Sequence, residues 1–301
     1  VLVLIRHFSR FLLIVCVLLG TSASALAAAH DHITQRAYWE DASGQATFEQ
    51  AQQQTFTPYE GVLGRGYTQS AIWTKFEIVP PTNAKPDDQL ILRIRPIYLD
   101  QIRLYDPLDL SGQPRIVGDQ TSYKDEEYKS LAHAFVIPAG QTPRFIWLRL
   151  QATSTTLMHV EALSLEEMQQ DEHRLMASYY FSLSFILIFL IVVLLNWINY
   201  REFLYAAFVV RNAIYFVYTA SFFGFHRYLL DGWIDARAID LAYNWLIIGT
   251  TAFTFWFETR FLSEYKPPQW VRNVFNLMWL WSFAAATLLT LGYINLALKV
   301  N

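Results

Sequence analysis

Four long apolar segments in the second half of the chain restrict its fold most strongly. They cover residues 177–200, 203–225, 241–257 and 274–298, which are 24, 23, 17 and 25 residues long. Only the second contains a charged residue, Arg211. A helix needs about 20 apolar residues to cross a bilayer. Because a soluble helical core would carry more charge, the pattern predicts four transmembrane helices within residues 179–301 and disfavours a soluble core.

The first 29 residues have the pattern of a signal peptide. Arg6 and Arg10 precede an apolar run over residues 11–20, and small residues follow up to residue 29. An uncleaved anchor is the alternative, but the run is well short of the about 20 residues that span a bilayer. We therefore expect cleavage between Ala27 and Ala29 and an amino-terminal domain in the bacterial periplasm.

The sequence contains few residues in patterns suited to a catalytic or metal site. Its only cysteine, Cys16, lies in the predicted signal peptide, so the mature chain would have no disulfide and no thiolate. The chain has no glycine-rich phosphate loop or nucleophile elbow, and its histidines lack metal-ligand spacing. We expect no catalytic residue, no metal, no cofactor and no enzyme activity in these residues. The acidic amino-terminal half also argues against a nucleic acid partner.

Residues 30–163 alternate short apolar runs with turns, which indicates an all-β jelly-roll sandwich of about eight strands. In residues 89–95 and 144–151 every second side chain is aliphatic, the two-residue period of a strand. The inward residues would be Leu90, Leu92, Ile94, Ile146, Leu148 and Leu150. The charged stretch 119–129 is expected to be a solvated loop.

Two helix starts are marked by capping boxes. Thr47 and Gln50 have the required spacing before a short helix, and Ser164 and Glu167 have it at the end of the sandwich. No proline or glycine interrupts the chain between Ser164 and the first apolar segment. Residues 164–178 should therefore form a helical stalk that continues into the membrane.

The charges between the segments set an orientation. With the amino-terminal domain in the periplasm, the cytoplasmic turns hold more basic residues than the periplasmic one, as the positive-inside rule requires. The inner set is Arg201, Arg260, Lys266 and Arg272, and the outer set is Arg227 and Arg237. We expect a multi-pass protein of the bacterial inner membrane.

Arg211 would lie about 12 Å from the cytoplasmic end of the second helix. A charge at that depth normally faces other helices rather than lipid. Glu258 is the best countercharge, and Tyr215 is placed to accept a hydrogen bond. One interpretation is a switch in helix packing; the other is a structural contact or an arginine that reaches the interface.

A ligand surface on the sandwich is a further hypothesis. Its residues would be Trp73, Arg93, Arg95, Tyr98 and Arg103, which form an aromatic and basic set suited to a sugar, a carboxylate or a peptide. Ordinary outward residues of strands look the same, so this alternative stays open.

The chain resembles the bacterial seven-transmembrane receptors with diverse intracellular signalling modules. The resemblance rests on "AYWED" and "GRGYTQSAIWTKFEI" in the sandwich and on residues 179–208 in the apolar region. Within residues 179–208, the turn between the first two segments contains Arg201 and Glu202, followed by the aromatic "FLY". It implies a periplasmic sensor, similar to carbohydrate-binding modules, that drives a helix bundle coupled to a diguanylate cyclase, a histidine kinase or a similar output. With four predicted helices instead of seven, we expect a truncated chain.

The sequence thus predicts a sensory receptor for a periplasmic small molecule or carbohydrate, with the lipid bilayer as its surroundings. A membrane-anchored carbohydrate-binding or envelope-assembly protein that transmits nothing is the main alternative, and a transporter is a third. The oligomeric state is open, with a homodimer as one alternative.

Overall fold

The computed structural model describes residues 30–109 and 112–301. The predicted signal peptide and Cys16 lie outside the described residues. The described chain begins with a sandwich of two antiparallel sheets and continues into helices. The predicted all-β domain followed by an all-α region is therefore confirmed.

Ten strands form the two sheets. They are β1 Ile33–Asp41, β2 Thr57–Pro58, β3 Leu63–Gly66, β4 Ala71–Ile78, β5 Gln89–Arg95, β6 Gln101–Tyr105, β7 Arg115–Val117, β8 His133–Pro138, β9 Arg144–Gln151 and β10 Thr156–Ser164. One sheet has the order β2-β1-β4-β9-β6-β7 and the other β3-β10-β5-β8. Two of the ten, β2 and β7, are edge strands of two and three residues, which are too short to show a sequence period.

The core lies between the sheets. The six residues predicted to point inward from β5 and β9 are all buried there. Phe76 from β4 and Phe135 from β8 fill the space between them. Burial of such alternating side chains is the main favourable contribution to a sandwich of this kind, so the two-residue period determines which face of each sheet is apolar.

Seven helices are present in the described chain. They are α1 Phe48–Gln52, α2 Leu165–Tyr200, α3 Phe203–Phe222, α4 Phe225–Leu230, α5 Ala236–Ser263, α6 Gln269–Thr290 and α7 Ile294–Val300. A single 3-10 turn, Tyr123–Asp125, lies within the charged loop. Both predicted capping boxes are confirmed, with Thr47 before α1 and Ser164 before α2.

Helix α2 leads from the sandwich into the apolar region without a break. It has 36 residues, and at 1.5 Å per residue it is about 54 Å long. Of its large side chains, Phe185, Ile188 and Leu195 are half-exposed. A long helix with an exposed apolar surface is suited to lipid rather than to water.

Two of the described helices, α2 and α3, are long and apolar enough to cross a membrane by length and composition. Helix α5 contains the third predicted segment. The fourth, predicted as one helix over residues 274–298, is divided between α6 and α7, because the chain turns at Gly292 in a left-handed conformation. Polar residues such as Asn244, Thr251 and Asn273 reduce the apolar character of α5 and α6. Four membrane spans therefore stay a prediction.

Candidate interface between the sandwich and the helices

The segment between α3 and α5 packs directly against the sandwich. Gly224 begins this contact in a left-handed conformation, with φ of 90°. A Cβ atom at this position would lie 2.8 Å from the carbonyl oxygen of Leu131, in the loop before β8. Only glycine permits both this φ and this approach without strain. The turn brings α4 against the loop between β7 and β8.

Arg227 of α4 inserts its guanidinium group into the sandwich. Its Nη2 donates hydrogen bonds to Glu126 Oε1 at 2.8 Å, to the Gly118 carbonyl at 3.0 Å and to the Thr121 carbonyl at 3.2 Å. Only 3% of Arg227 and 4% of Glu126 are exposed. A buried charge pair of this kind needs hydrogen bonds to offset desolvation, and the carbonyls supply them.

His133 at the start of β8 completes the site. Its Nε2 lies 2.8 Å from the Ile97 carbonyl, which can only accept, so Nε2 carries the proton. Its Nδ1 lies 3.2 Å from Arg227 Nη1, from which it can accept a hydrogen bond, and 3.1 Å from Glu126 Oε1. Burial, and next the positive charge of Arg227, lower the pKa of His133. The histidine is therefore held neutral, as an acceptor for Arg227.

Asp231 forms a second contact between the same segment and the same loop. Its carboxylate accepts hydrogen bonds from Ser122 Oγ at 2.9 Å and from the backbone N–H of Lys124 at 2.9 Å. The rings of Tyr123 and Tyr228 meet edge to face, with centroids 5.9 Å apart. The loop 118–126 is thus held by polar and aromatic contacts to the helical region.

The start of α2 forms a separate connection. Arg93 on β5 is 1% exposed, and its Nη2 donates to Glu161 of β10 at 2.7 Å. Its Nη1 lies 2.5 Å from Asp171 of α2. The next residue, Glu172, accepts a hydrogen bond from Tyr128 at 3.0 Å. The outer face of the four-stranded sheet is therefore tied to the stalk by a buried arginine.

A family comparison identifies this sandwich. Residues 34–164 match the family model described as 7TMR-DISM extracellular 2. These residues belong to that family. The match confirms the resemblance to seven-transmembrane receptors with an extracellular sensor domain. A comparison with curated proteins finds no match. The 7TMR-DISM domain ends at Ser164, the residue that caps α2.

The predicted ligand residues do not share one face of the 7TMR-DISM domain. Trp73 is fully buried under α1, between Phe48 at 6.3 Å and Tyr105 at 5.4 Å. Arg103 lies on the same six-stranded sheet, where its Nε donates to Gln101 at 3.1 Å. Arg93 and Arg95 are on the other sheet, and both pair with Glu161.

The expectation of one exposed surface was therefore wrong for this set. Trp73 on β4 is covered by α1, and Arg93 on β5 is covered by α2. The alternation of side chains within a strand does not show which helix will pack on its outer face. Tyr98 packs partly against the sandwich core and lines a small cavity next to α5. Whether any of the five residues binds a ligand stays a prediction.

Arg211 and Glu258 do meet between α3 and α5. Arg211 Nη2 lies 3.3 Å from Glu258 Oε1, and its guanidinium is 5.1 Å from the centre of the Phe257 ring. Tyr215 takes no part in this pair within the described chain; its ring lies 6.1 Å from that of Tyr218. The contact agrees with either interpretation of Arg211, as a switch or as a structural pair.

The charged loop 119–129 was expected to be solvated, and this prediction was wrong for Asp119 and Glu126, whereas Lys124, Asp125 and Glu127 are exposed. Asp119 and Glu126 are buried because α4 covers them. The sequence signal was an acidic loop and one arginine in the predicted periplasmic segment, about 100 residues apart. Within the described residues, no group of three or more histidine, cysteine or acidic side chains is arranged to hold a metal ion.

Proposed function

We propose that this chain is the sensory part of a membrane receptor, which passes a periplasmic signal from the sandwich to its helices. The buried pair of Arg227 and Glu126 carries the proposal, because it ties the loop between two helices into the 7TMR-DISM domain. A domain that only anchored a binding module would need no such contact. The stalk that begins at Ser164 provides the second route.

The strand order supports a jelly roll. Strands β3 to β10 are divided between the sheets in the orders β3-β10-β5-β8 and β4-β9-β6-β7. This is the order of a sandwich of two Greek keys, with β1 and β2 added at one edge. We further propose that α2, α3, α5 and α6 cross the bacterial inner membrane, with the sandwich in the periplasm.

The ligand that we propose is a small molecule or a carbohydrate. Similarity to carbohydrate-binding modules, implied by the family, supports it. The output would be a cytoplasmic domain such as a diguanylate cyclase or a histidine kinase, and we assign no catalytic role to the residues of this chain. A ligand transmits a signal only if it binds two arrangements of the helices unequally, so the receptor must have two such arrangements.

Spin labels at the far ends of the helices test this requirement. Cys16 is replaced by serine, and cysteines for labelling are placed at the exposed residues Tyr200 and Tyr265. The distance between the labels is measured by pulsed electron paramagnetic resonance in lipid nanodiscs. We expect Arg227→Met to change this distance distribution, because loss of the sandwich contact would shift the helix equilibrium. The matched variant Arg237→Met, at an exposed position, should leave it unchanged.

The alternative function predicts a different result. If the chain is a membrane-anchored carbohydrate-binding or envelope-assembly protein, Arg227→Met should loosen the loop without any effect at Tyr200 and Tyr265. Limited proteolysis of the segment 118–126 shows whether the loop contact has been lost. A loosened loop together with unchanged label distances would rule out transmission through this interface.

A further inference from the structure

Three carboxyl groups lie in the region where the sandwich faces α5. Asp100 precedes β6, Asp119 follows β7, and Asp240 lies in the second turn of α5. The backbone N–H of Asp119 donates to the Leu99 carbonyl at 3.0 Å, which fixes the two sandwich residues side by side. A cavity of about 310 Å³ separates the sandwich from α5 here, and the residues that line it include Tyr98, Asp100, Thr153, Asp240, Tyr243 and Asn244.

The three groups differ in their hydrogen bonds. Asp100 accepts from the backbone N–H and the hydroxyl of Thr153, at 2.9 and 2.8 Å, and from Gln120 at 2.8 Å. Asp240 accepts from Asn244 at 3.1 Å. Asp119 is 93% buried (7% exposed), and its Oδ1 atom has no hydrogen-bond partner in the described parts of the chain. An ionised carboxylate in that position would be strongly destabilised.

Little positive charge balances the cluster. Arg227 is the cation that acts on Asp119, and its guanidinium is already bonded to Glu126 and to two carbonyls. The other side chains around the cavity are uncharged phenols, hydroxyls, amides and apolar groups, and Lys299 of α7 lines a neighbouring cavity together with Asp100. Burial, followed by the charges of Asp240 and Asp100, raises the pKa of Asp119 well above its usual range. Burial also raises the pKa of Asp100.

We propose that this cluster is a proton-operated contact, in which a proton on Asp119 keeps that carboxyl neutral beside Asp100 and Asp240 and so holds α5 against the sandwich. Loss of the proton leaves like charges on both sides of the cavity, and their repulsion favours separation. The receptor would then respond to external pH as well as to its ligand. The pH response rests on the proposed function, because separation of α5 from the sandwich becomes a signal only if the helices transmit it.

Thermal unfolding of the full chain in detergent tests the proton. The histidines near the interface gain protons mainly below about pH 6.5, their ordinary pKa, so a comparison of pH 8 with pH 6.5 isolates the carboxyl groups. A raised carboxyl pKa destabilises the folded state as the pH rises towards and through it. We expect the Tm of the natural chain to fall between pH 6.5 and pH 8. In Asp119→Asn the fall should be smaller, and the Tm at pH 8 should be higher by about 2–4 °C.

The exposed Asp87 provides the matched control, since Asp87→Asn should behave as the natural chain. Asp240→Asn is the second variant and should also reduce the fall. Difference infrared spectroscopy gives a direct measurement: the absorption of a protonated carboxyl at pH 6.5 should be lost at pH 8 and be weaker in Asp119→Asn. Parallel Tm curves for all variants, or an unchanged infrared band, would overturn the proposal.

Calcium chloride distinguishes a proton from a metal cation at the same carboxyl groups. If millimolar Ca²⁺ raised the Tm of the natural chain at pH 8 as much as acidification does, and not that of Asp119→Asn, the cluster would be a cation site and the proposal would be wrong. These measurements need neither a ligand nor signalling. Their failure is therefore distinct from a failure of the label experiment with Arg227→Met.

Discussion

Two of the contacts between the sandwich and the helices contain a buried arginine. At the stalk, Arg93 of the sandwich pairs with Glu161 of the same sandwich and reaches Asp171 of α2. At the loop, Arg227 comes from the helical region and enters a site built by Glu126, His133 and two carbonyls. The stalk follows β10 directly in the chain, whereas the loop contact joins segments about 100 residues apart.

This difference determines how much stability each contact loses when one of its charged residues is substituted. Arg93 keeps Glu161 when Asp171 is altered, and the covalent link between β10 and α2 keeps the two elements together. Glu126 has 1% of its side chain exposed, and without Arg227 its carboxylate faces His133 at 3.1 Å, a histidine whose pKa is lowered by burial. Removal of one partner from a buried pair is costly because the other charge stays buried. The loop contact is therefore the more sensitive of the two.

The largest effect is expected for Arg227→Met. Methionine has a similar length but removes the guanidinium and leaves the buried Glu126 carboxylate with His133 alone. We expect a loss of about 3–5 kcal/mol from the free energy that holds the loop on the sandwich. Thermal unfolding and limited proteolysis of residues 118–126 measure it. Arg237→Met is the control and should change the stability by less than about 0.5 kcal/mol. Equal stability of the two variants would contradict a sensitive loop contact.

A smaller effect is expected for Asp171→Asn at the stalk. The Asp171 side chain is 29% exposed, and Arg93 retains its bonds to Glu161, so we expect a loss of about 1 kcal/mol. Thermal unfolding in the same detergent allows direct comparison with Arg227→Met. Glu166→Gln, at an exposed position of the same helix, is the matched control. If Asp171→Asn were as destabilising as Arg227→Met, the two contacts would not differ in the way described above.

The smallest effect on the loop and stalk contacts is expected for Arg211→Leu, because Arg211 lies away from the sandwich. The Arg211 and Glu258 side chains are each about one-third exposed, at 32% and 30%, and neither touches the loop 118–126. We expect no change in proteolysis of that loop, but a change in the distance between labels at Tyr200 and Tyr265 if Arg211 is a switch. Arg272→Leu, at an exposed position of α6, is the control. Unchanged label distances would leave Arg211 a structural role only.

Several parts of the fold were predictable because their cause is local. The two-residue period in β5 and β9 identified the inward side chains, since alternation follows from strand geometry. The capping boxes at Thr47 and Ser164 identified two helix starts, since the bonds involved join residues three apart. The pairing of Arg211 with Glu258 followed from the cost of a charge among apolar helices.

The candidate site was only partly predictable. Trp73 and Arg93 follow the outward pattern of a strand, and both are buried because α1 and α2 cover those faces. Asp119 and Glu126 belong to a charged stretch with every local property of a solvated loop. No local signal shows that α4 would cover them, because that contact depends on how the chain turns at Gly224.

The sequence by itself determined the elements: a two-sheet domain, a capped stalk and apolar helices, all fixed by periodicity, capping and hydropathy within short windows. The tertiary structure alone decided which charges became buried together. Arg227 and Glu126, or Asp119 and Asp240, are far apart in the chain. Their surroundings depend on the packing of whole elements, and that packing sets the desolvation of each charge.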